Sequence, residues 1–115
     1  MNRRLTRIND ELKEQIALLV RELKDHRLAT LITVVKADTT SDLKYCKVYV
    51  SIMGTDKEKK DSLDALKSAS GFIKRELARS VNLRQTPELT FILDTSLDHA
   101  MRIDELLREV KVDEV

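Results

Sequence analysis

Ser62 to Val81 reads SLDALKSASGFIKRELARSV. Leu63, Leu66, Ala69, Ile73 and Leu77 recur at three- and four-residue steps, the spacing of one helical face packed against a neighbour. The middle of the stretch, Ser68-Ala69-Ser70-Gly71, works against that helix. Serine hydroxyls compete for backbone hydrogen bonds, and glycine costs about 0.5 to 1 kcal/mol relative to alanine in a helix interior. The stretch therefore reads as two helices meeting at a kink over Ser68, Ala69, Ser70 and Gly71. Such a kink would bare backbone N–H groups at the start of its second helix, where Lys74, Arg75 and Arg79 follow. Free amide donors, a positive helix end and nearby cations make an anion site, and the polyanion they fit is a nucleic acid backbone.

Working outward toward the C-terminus, Asn82 to Pro87 forms a loop, because Pro87 lacks an N–H and holds Thr86 extended. Leu89, Phe91 and Leu93 alternate with Thr90, Ile92 and Asp94 as a strand. Asp94, Thr95 and Ser96 then cap a final helix carrying Leu97, Ala100, Ile103, Leu106, Leu107 and Val110. In the other direction, Thr55 caps the helix that enters the organising stretch, with Glu58 placed to complete a capping box. Tyr45 to Ile52 alternates, Cys46, Val48, Val50 and Ile52 on one face and Tyr45, Lys47, Tyr49 and Ser51 on the other. Asp38 to Asp42 supplies five polar turn formers. Leu28 to Lys36 is a continuous β-branched run, expected to be a central or doubly covered strand that pairs with Tyr45 to Ile52 in an antiparallel hairpin. Leu5, Ile8, Leu12, Ile16, Leu19 and Leu23 mark an amphipathic helix of about five turns. Burying those side chains is worth roughly 1.5 to 3 kcal/mol each before chain entropy, so that helix must dock. The expected order is α, β, β, α, kink, α, β, α, and the expected class is α+β: a two-layer sandwich with helices on one face of a three-stranded sheet.

At 115 residues, with 42% hydrophobic and 36% charged side chains, the chain suits one ordered domain over 1–115 that needs no disulfide or metal. Two Tyr, two Phe and no Trp argue against a protein that sandwiches bases between rings. A net charge of +1 leaves any nucleic acid contact to a local patch. The single cysteine, Cys46, cannot form an internal disulfide, and no apolar leader or membrane span is legible, so a cytoplasmic protein is expected.

Four phrases carry a family resemblance: Asp42 to Ser51 (DLKYCKVYVS), Ser68 to Leu77 (SASGFIKREL), the Arg84 to Leu89 loop with Pro87, and Arg102 to Leu107 (RIDELL). In this order, over about Arg3 to Leu107, the chain closely resembles bacterial ribosome-binding factor A. The resemblance implies a type II KH-like fold in which an Ala-centred interruption, here Ala69, replaces the usual Gly-x-x-Gly loop. It also implies a non-enzymatic, cytoplasmic, monomeric factor without cofactor. Such a factor binds the immature small (30S) ribosomal subunit near the decoding region, contacts 16S rRNA, assists late maturation of its 5′ end and supports growth in the cold. The chain departs from that pattern at His26, where proline is common, at Cys46, where alanine is usual, and in lacking a charged tail after Val115.

The candidate RNA contacts are Lys74, Arg75, Arg79 and Arg84, then Lys44 and Lys47 beside Tyr45 and Tyr49, then Arg3, Arg4 and Arg7, whose cations at a helix start oppose its dipole. A solvated basic surface is the bland explanation for each group. Cys46, on an apolar strand face, reads as a small core residue. His26 and His99 lack clustered partners for a metal, and Asp104 and Glu105 point to different helix faces, so neither a metal site nor an acid/base pair is expected. Gly54 and Gly71, the two glycines, rule out a phosphate-binding glycine loop. The rival class is a protein–protein module that pairs its amphipathic terminal helices with a partner chain.

Overall fold

The computed structural model describes residues 3–28, 31–83 and 85–95. The elements are α1 (Arg3–Glu22), β1 (Ile32–Thr39), β2 (Tyr45–Ile52), α2 (Asp56–Ser80) and β3 (Glu88–Leu93). The expected final helix lies outside the described residues.

Alternation decides β2. Cys46, Val48, Val50 and Ile52 are buried and the residues between them are exposed or half-buried, so one face is covered, and pairing on both edges makes β2 the middle strand of the order β1-β2-β3. β1 pairs with it antiparallel, as expected of a hairpin, and β3 runs parallel to it, because α2 carries the chain back to the starting end of the sheet. Both helices cover one face, and their apolar side chains join those of β2 and Phe91 in a single core.

β1 corrects two expectations. It starts at Ile32 and runs to Thr39, so Asp38 and Thr39 belong to the strand and the turn is shifted to residues 40–44. Among the described residues it is also an edge strand, neither central nor covered on both faces. The continuous apolar run has another cause: Val34 pairs with Val50 and Lys36 with Tyr49, leaving Val35 as a bulge. The extra residue lets Val34 and Ala37 both face the core three positions apart. In the turn, Asp42 Oδ1 accepts from Thr40 Oγ1 at 2.6 Å and from the Lys44 N–H at 3.0 Å, and Leu43 takes a positive φ of 62°.

In α1 the buried residues are Ile8, Leu12, Ile16 and Val20, with Leu5 and Leu19 half-buried. This stripe is spent on the core, which removes it from any pairing with a partner helix. Asn9 Oδ1 accepts the Thr39 N–H at 2.9 Å and so ties the first half of α1 to the end of β1. Thr39 itself is buried, and its hydroxyl faces the Cys46 thiol across the strand pair, a weak sulfur partner, with no conventional hydrogen bond among the described residues. Thr39→Val keeps the shape and removes a poorly satisfied hydroxyl, so it should raise stability by about 1 kcal/mol in urea unfolding; a loss of stability would show that the contact with the thiol matters.

The two helices expected to meet over Ser68, Ala69, Ser70 and Gly71 are one: α2 runs unbroken through 25 residues. Its start follows expectation, with the Glu58 N–H donating to Thr55 Oγ1 at 3.2 Å and the Thr55 N–H to Glu58 Oε1 at 3.1 Å. Gly54, just before the cap, has φ 147°, and a Cβ there would stand 3.1 Å from that of Glu58, close enough that the neighbour would have to shift. The helix survives its weak centre because Leu66, Ile73 and Leu77 on either side are at most 1% exposed. Their burial is worth roughly 1.5 to 3 kcal/mol each, against about 1 kcal/mol for the glycine. Ser70 Oγ donates back to the Lys67 carbonyl at 2.7 Å, so its hydroxyl joins the helix instead of interrupting it.

Candidate nucleic-acid interface

An unbroken α2 has its central amides bonded within the helix, so the anion site expected from a kink at Ser68 to Gly71 is absent. What the helix offers instead is a surface. Its 3.6-residue period turns Lys60, Asp64, Lys67, Gly71, Arg75 and Ala78 outward, all of them exposed. Asp64 sits between Lys60 and Lys67 and mixes the charge of the first half. From Lys67 onward the outer face holds Lys67, Arg75 and Arg79 and no carboxylate. Glu76 is on the inner side, half-buried, and its Oε1 lies 3.7 Å from Arg79, whose side chain is still 81% exposed. Lys67 and Arg75 stand eight residues apart, about 12 Å along the axis.

The three cations read from the sequence therefore divide. Lys74 turns toward the sheet and forms an ion pair with Glu88 at the start of β3, so its charge is already matched. Arg75 and Arg79 face solvent. Lys60 and Lys67 were missed by sequence reasoning, although their i, i+7 spacing, continued to Arg75, was a legible signal for a basic row.

A second group gathers at one end of the sheet. The Asn9 to Thr39 hydrogen bond places the start of α1, with exposed Arg3, Arg4 and Arg7, near the β1–β2 turn. The Glu88 N–H donates to the Lys44 carbonyl at 2.9 Å, which adds Lys44 and the Lys74–Glu88 pair to the same end. Asp42 is also there, its carboxyl held below the usual range first by the Thr40 hydroxyl and then by the Lys44 N–H. This end is mixed in charge.

Lys47 lies elsewhere, on the sheet face opposite α1 and α2, with exposed Tyr45 and half-buried Tyr49. Asp38 is its cross-strand neighbour, and Lys36, from β1, places its Nζ 4.6 Å from the centroid of the Tyr49 ring. The strand face named in the sequence is thus open to solvent among the described residues, and Lys36 belongs to it. Arg84 lies outside the described residues.

Other chemistry finds little support. Cys46 is 1% exposed and burial pushes its thiol up, away from the thiolate a nucleophile needs. Among the described residues no group of His, Cys, Asp and Glu could hold a metal, and no helix is long and apolar enough to cross a membrane. His26 stands exposed in a turn fixed by its neighbours. Arg27 Nε and Nη2 clasp Asp25 at 3.1 and 2.8 Å, and that pairing, with the Arg27 N–H, lowers the Asp25 carboxyl to about 2. Ser62 Oγ donates to the Arg27 carbonyl at 3.2 Å and anchors the turn to α2.

Comparison with known proteins gives a consistent set of relatives. The sequence model of the family described as ribosome-binding factor A matches residues 4–107. A ribosome-binding factor A of Clostridium botulinum (strain Okra / Type B1) is 47% identical over 112 residues, 96% of this chain and 93% of that protein. The crystal structure of ribosome-binding factor A from Thermus thermophilus superposes with a TM-score of 0.70 at 29% identity, over 77% of this chain and 93% of that one. A homology model of Thermus thermophilus ribosome binding factor A, as fitted into the cryo-EM map of a 30S complex, gives 0.64 at 30% identity, over 76% and 91%.

Proposed function

The chain belongs to the ribosome-binding factor A family, and from that premise we propose that it is a single KH-like domain that binds the small ribosomal subunit through 16S rRNA and assists late maturation of the rRNA 5′ end. The observation that carries this reading is the outer face of α2, where Lys67, Arg75 and Arg79 are exposed, Arg79 with only a loose 3.7 Å pair to the half-buried Glu76. A row of separated cations on a rigid helix suits a polyphosphate chain. A Thermus thermophilus relative fitted into a 30S complex gives the polyanion its class.

In this reading α2 supplies charge and shape, and the open strand face with Lys47, Tyr45, Tyr49 and Lys36 adds a second contact. Lys44, Arg3, Arg4 and Arg7 extend the positive surface at the hairpin end, and Arg84 belongs to the same set by the family resemblance. The bound factor holds an rRNA segment in the conformation its processing requires, as a monomer, in the cytoplasm and without catalysis of its own, and its release marks completion.

The test is co-sedimentation with purified small subunits across a salt series. About four phosphate contacts give a slope of log affinity against log salt near −3 to −4, and Arg75→Ala should reduce that slope by about one. A slope near zero would favour an apolar protein interface and defeat the proposal.

A further inference from the structure

Where α1 ends and β1 begins, a groove of about 490 Å³ opens over Val20, Leu23, Leu28 and Ile32, with the exposed Arg21 and Lys24 at its edge. Past Leu23 and Lys24 it continues into a smaller hollow of about 230 Å³ against Ala65 and Ala69 of α2. The core is left unfinished here. Leu23, Leu28 and Ile32 are only half-buried, whereas Leu12 and Ile16, further back on α1, are 0% exposed. Water held against large apolar side chains is unfavourable, and an apolar cover would remove it. β3 stops at this same end of the sheet. Leu93 pairs with Val50, the Asp94 N–H donates to the Val50 carbonyl at 2.7 Å, and Ile52, two residues further along β2, pairs with Ile32. The chain therefore leaves β3 two strands away from the groove, about 10 Å, with residues 96–115 still to follow.

We infer that residues 97–110 of the same chain close this groove, laying their apolar stripe on Leu23, Leu28 and Ile32 beside the cations Arg21 and Lys24. Reach allows it, since Thr95, Ser96 and Leu97 cover about 10 Å when extended. Shape favours it as well. Leu97, Ala100, Ile103, Leu106, Leu107 and Val110 recur on one face of the helix their spacing predicts, which would be about 21 Å long. A helix of that length is marginal alone in water and needs a surface to lie on. Charge points the same way: residues 96–115 carry six carboxylates against three basic side chains, while Asp25 at the groove is already held by Arg27. Because the segment is tethered, it meets the groove at an effective concentration in the millimolar range, which a second copy of the chain would have to exceed. Docking there spends the last apolar stripe on the chain itself, as the core spends that of α1, and leaves neither for a partner helix.

The experiment attaches a nitroxide to Glu105→Cys in the full chain carrying Cys46→Ala, and records which backbone amide signals it broadens in NMR. Position 105 lies opposite the apolar stripe on the expected helix, so the label leaves the contact free. The amides of Leu23 to Leu28 and of Ile32 should lose most of their signal, and those of residues 40–44, at the far end of β1, should keep theirs. Equal signals at the two ends overturn the inference. So does broadening of the same strength in a mixture of nitroxide-bearing chains with isotope-labelled chains lacking the nitroxide, which would give the groove to a second copy. Thermal unfolding supplies an independent check. Leu106→Ser with Leu107→Ser should lower the melting temperature by about 5 to 10 °C, and Leu28→Ser by a similar amount. All three substitutions together should cost clearly less than the sum, because each side removes the same contact. Strictly additive losses, or a Leu106→Ser, Leu107→Ser variant that melts like the parent, reject the docking. Neither measurement involves RNA, so the outcome bears on the groove alone.

Discussion

Lys67→Glu, Arg75→Glu and Arg79→Glu combined should lower affinity for small subunits at least about 100-fold at low salt, a loss of about 2.8 kcal/mol at 1.4 kcal/mol per decade. The three side chains are exposed, and reversal turns three attractions toward phosphate into three repulsions in one row. Folding should barely respond, because exposed pairs such as Arg79–Glu76 contribute little. The new glutamate at position 79, in the last turn of α2, opposes the helix dipole and costs only about 0.3 to 1 kcal/mol. A control with Lys13→Glu and Arg21→Glu, on the exposed side of α1, changes net charge in the same direction and should bind nearly as the parent does. Equal losses in the two variants would mean that general charge, and not the α2 row, governs binding. An unaffected triple variant would remove α2 from the interface.

Leu66→Ala should cost about 2 to 5 kcal/mol and lower the melting temperature by roughly 10 to 20 °C. Leu66 is fully buried in the core that α1 and α2 share with the sheet. It also lies just before the weak centre of α2, where its packing offsets the glycine and serines that follow. Set against a total stability of roughly 5 to 15 kcal/mol, the change is large. In urea the midpoint should fall with an unchanged slope. A cost below about 1 kcal/mol would show that helix propensity, and not burial, keeps α2 continuous.

Much of the fold is legible because its signals are local. The alternation of Tyr45 to Ile52, the Thr55–Glu58 box and the stripe on α1 involve residues a few positions apart, and each appears in the structure as its spacing suggests. The differences come from long-range effects. Val35 reads with its neighbours as part of a doubly covered run, since a bulge is defined by the partner strand and leaves no mark of its own. Ser68 to Gly71 reads as a break because propensity is local, while the burial that overrides it comes from α1 and the sheet. At the candidate interface, Arg75 and Arg79 are legible as exposed cations. The loss of Lys74 to Glu88, 14 residues away, is not, because only the return of β3 alongside β2 brings them together.

The extra residue at Val35 also bears on how copies of the chain behave at high concentration. β1 borders the sheet among the described residues, and a straight, unpaired border can recruit a strand from another molecule and seed aggregation. The bulge interrupts the regular row of donors and acceptors and increases the local twist, while Lys36 and Asp38 place charge along the same border. Strand addition there would leave backbone groups unmatched and bring charged side chains against their counterparts, so this border resists growth into larger sheets.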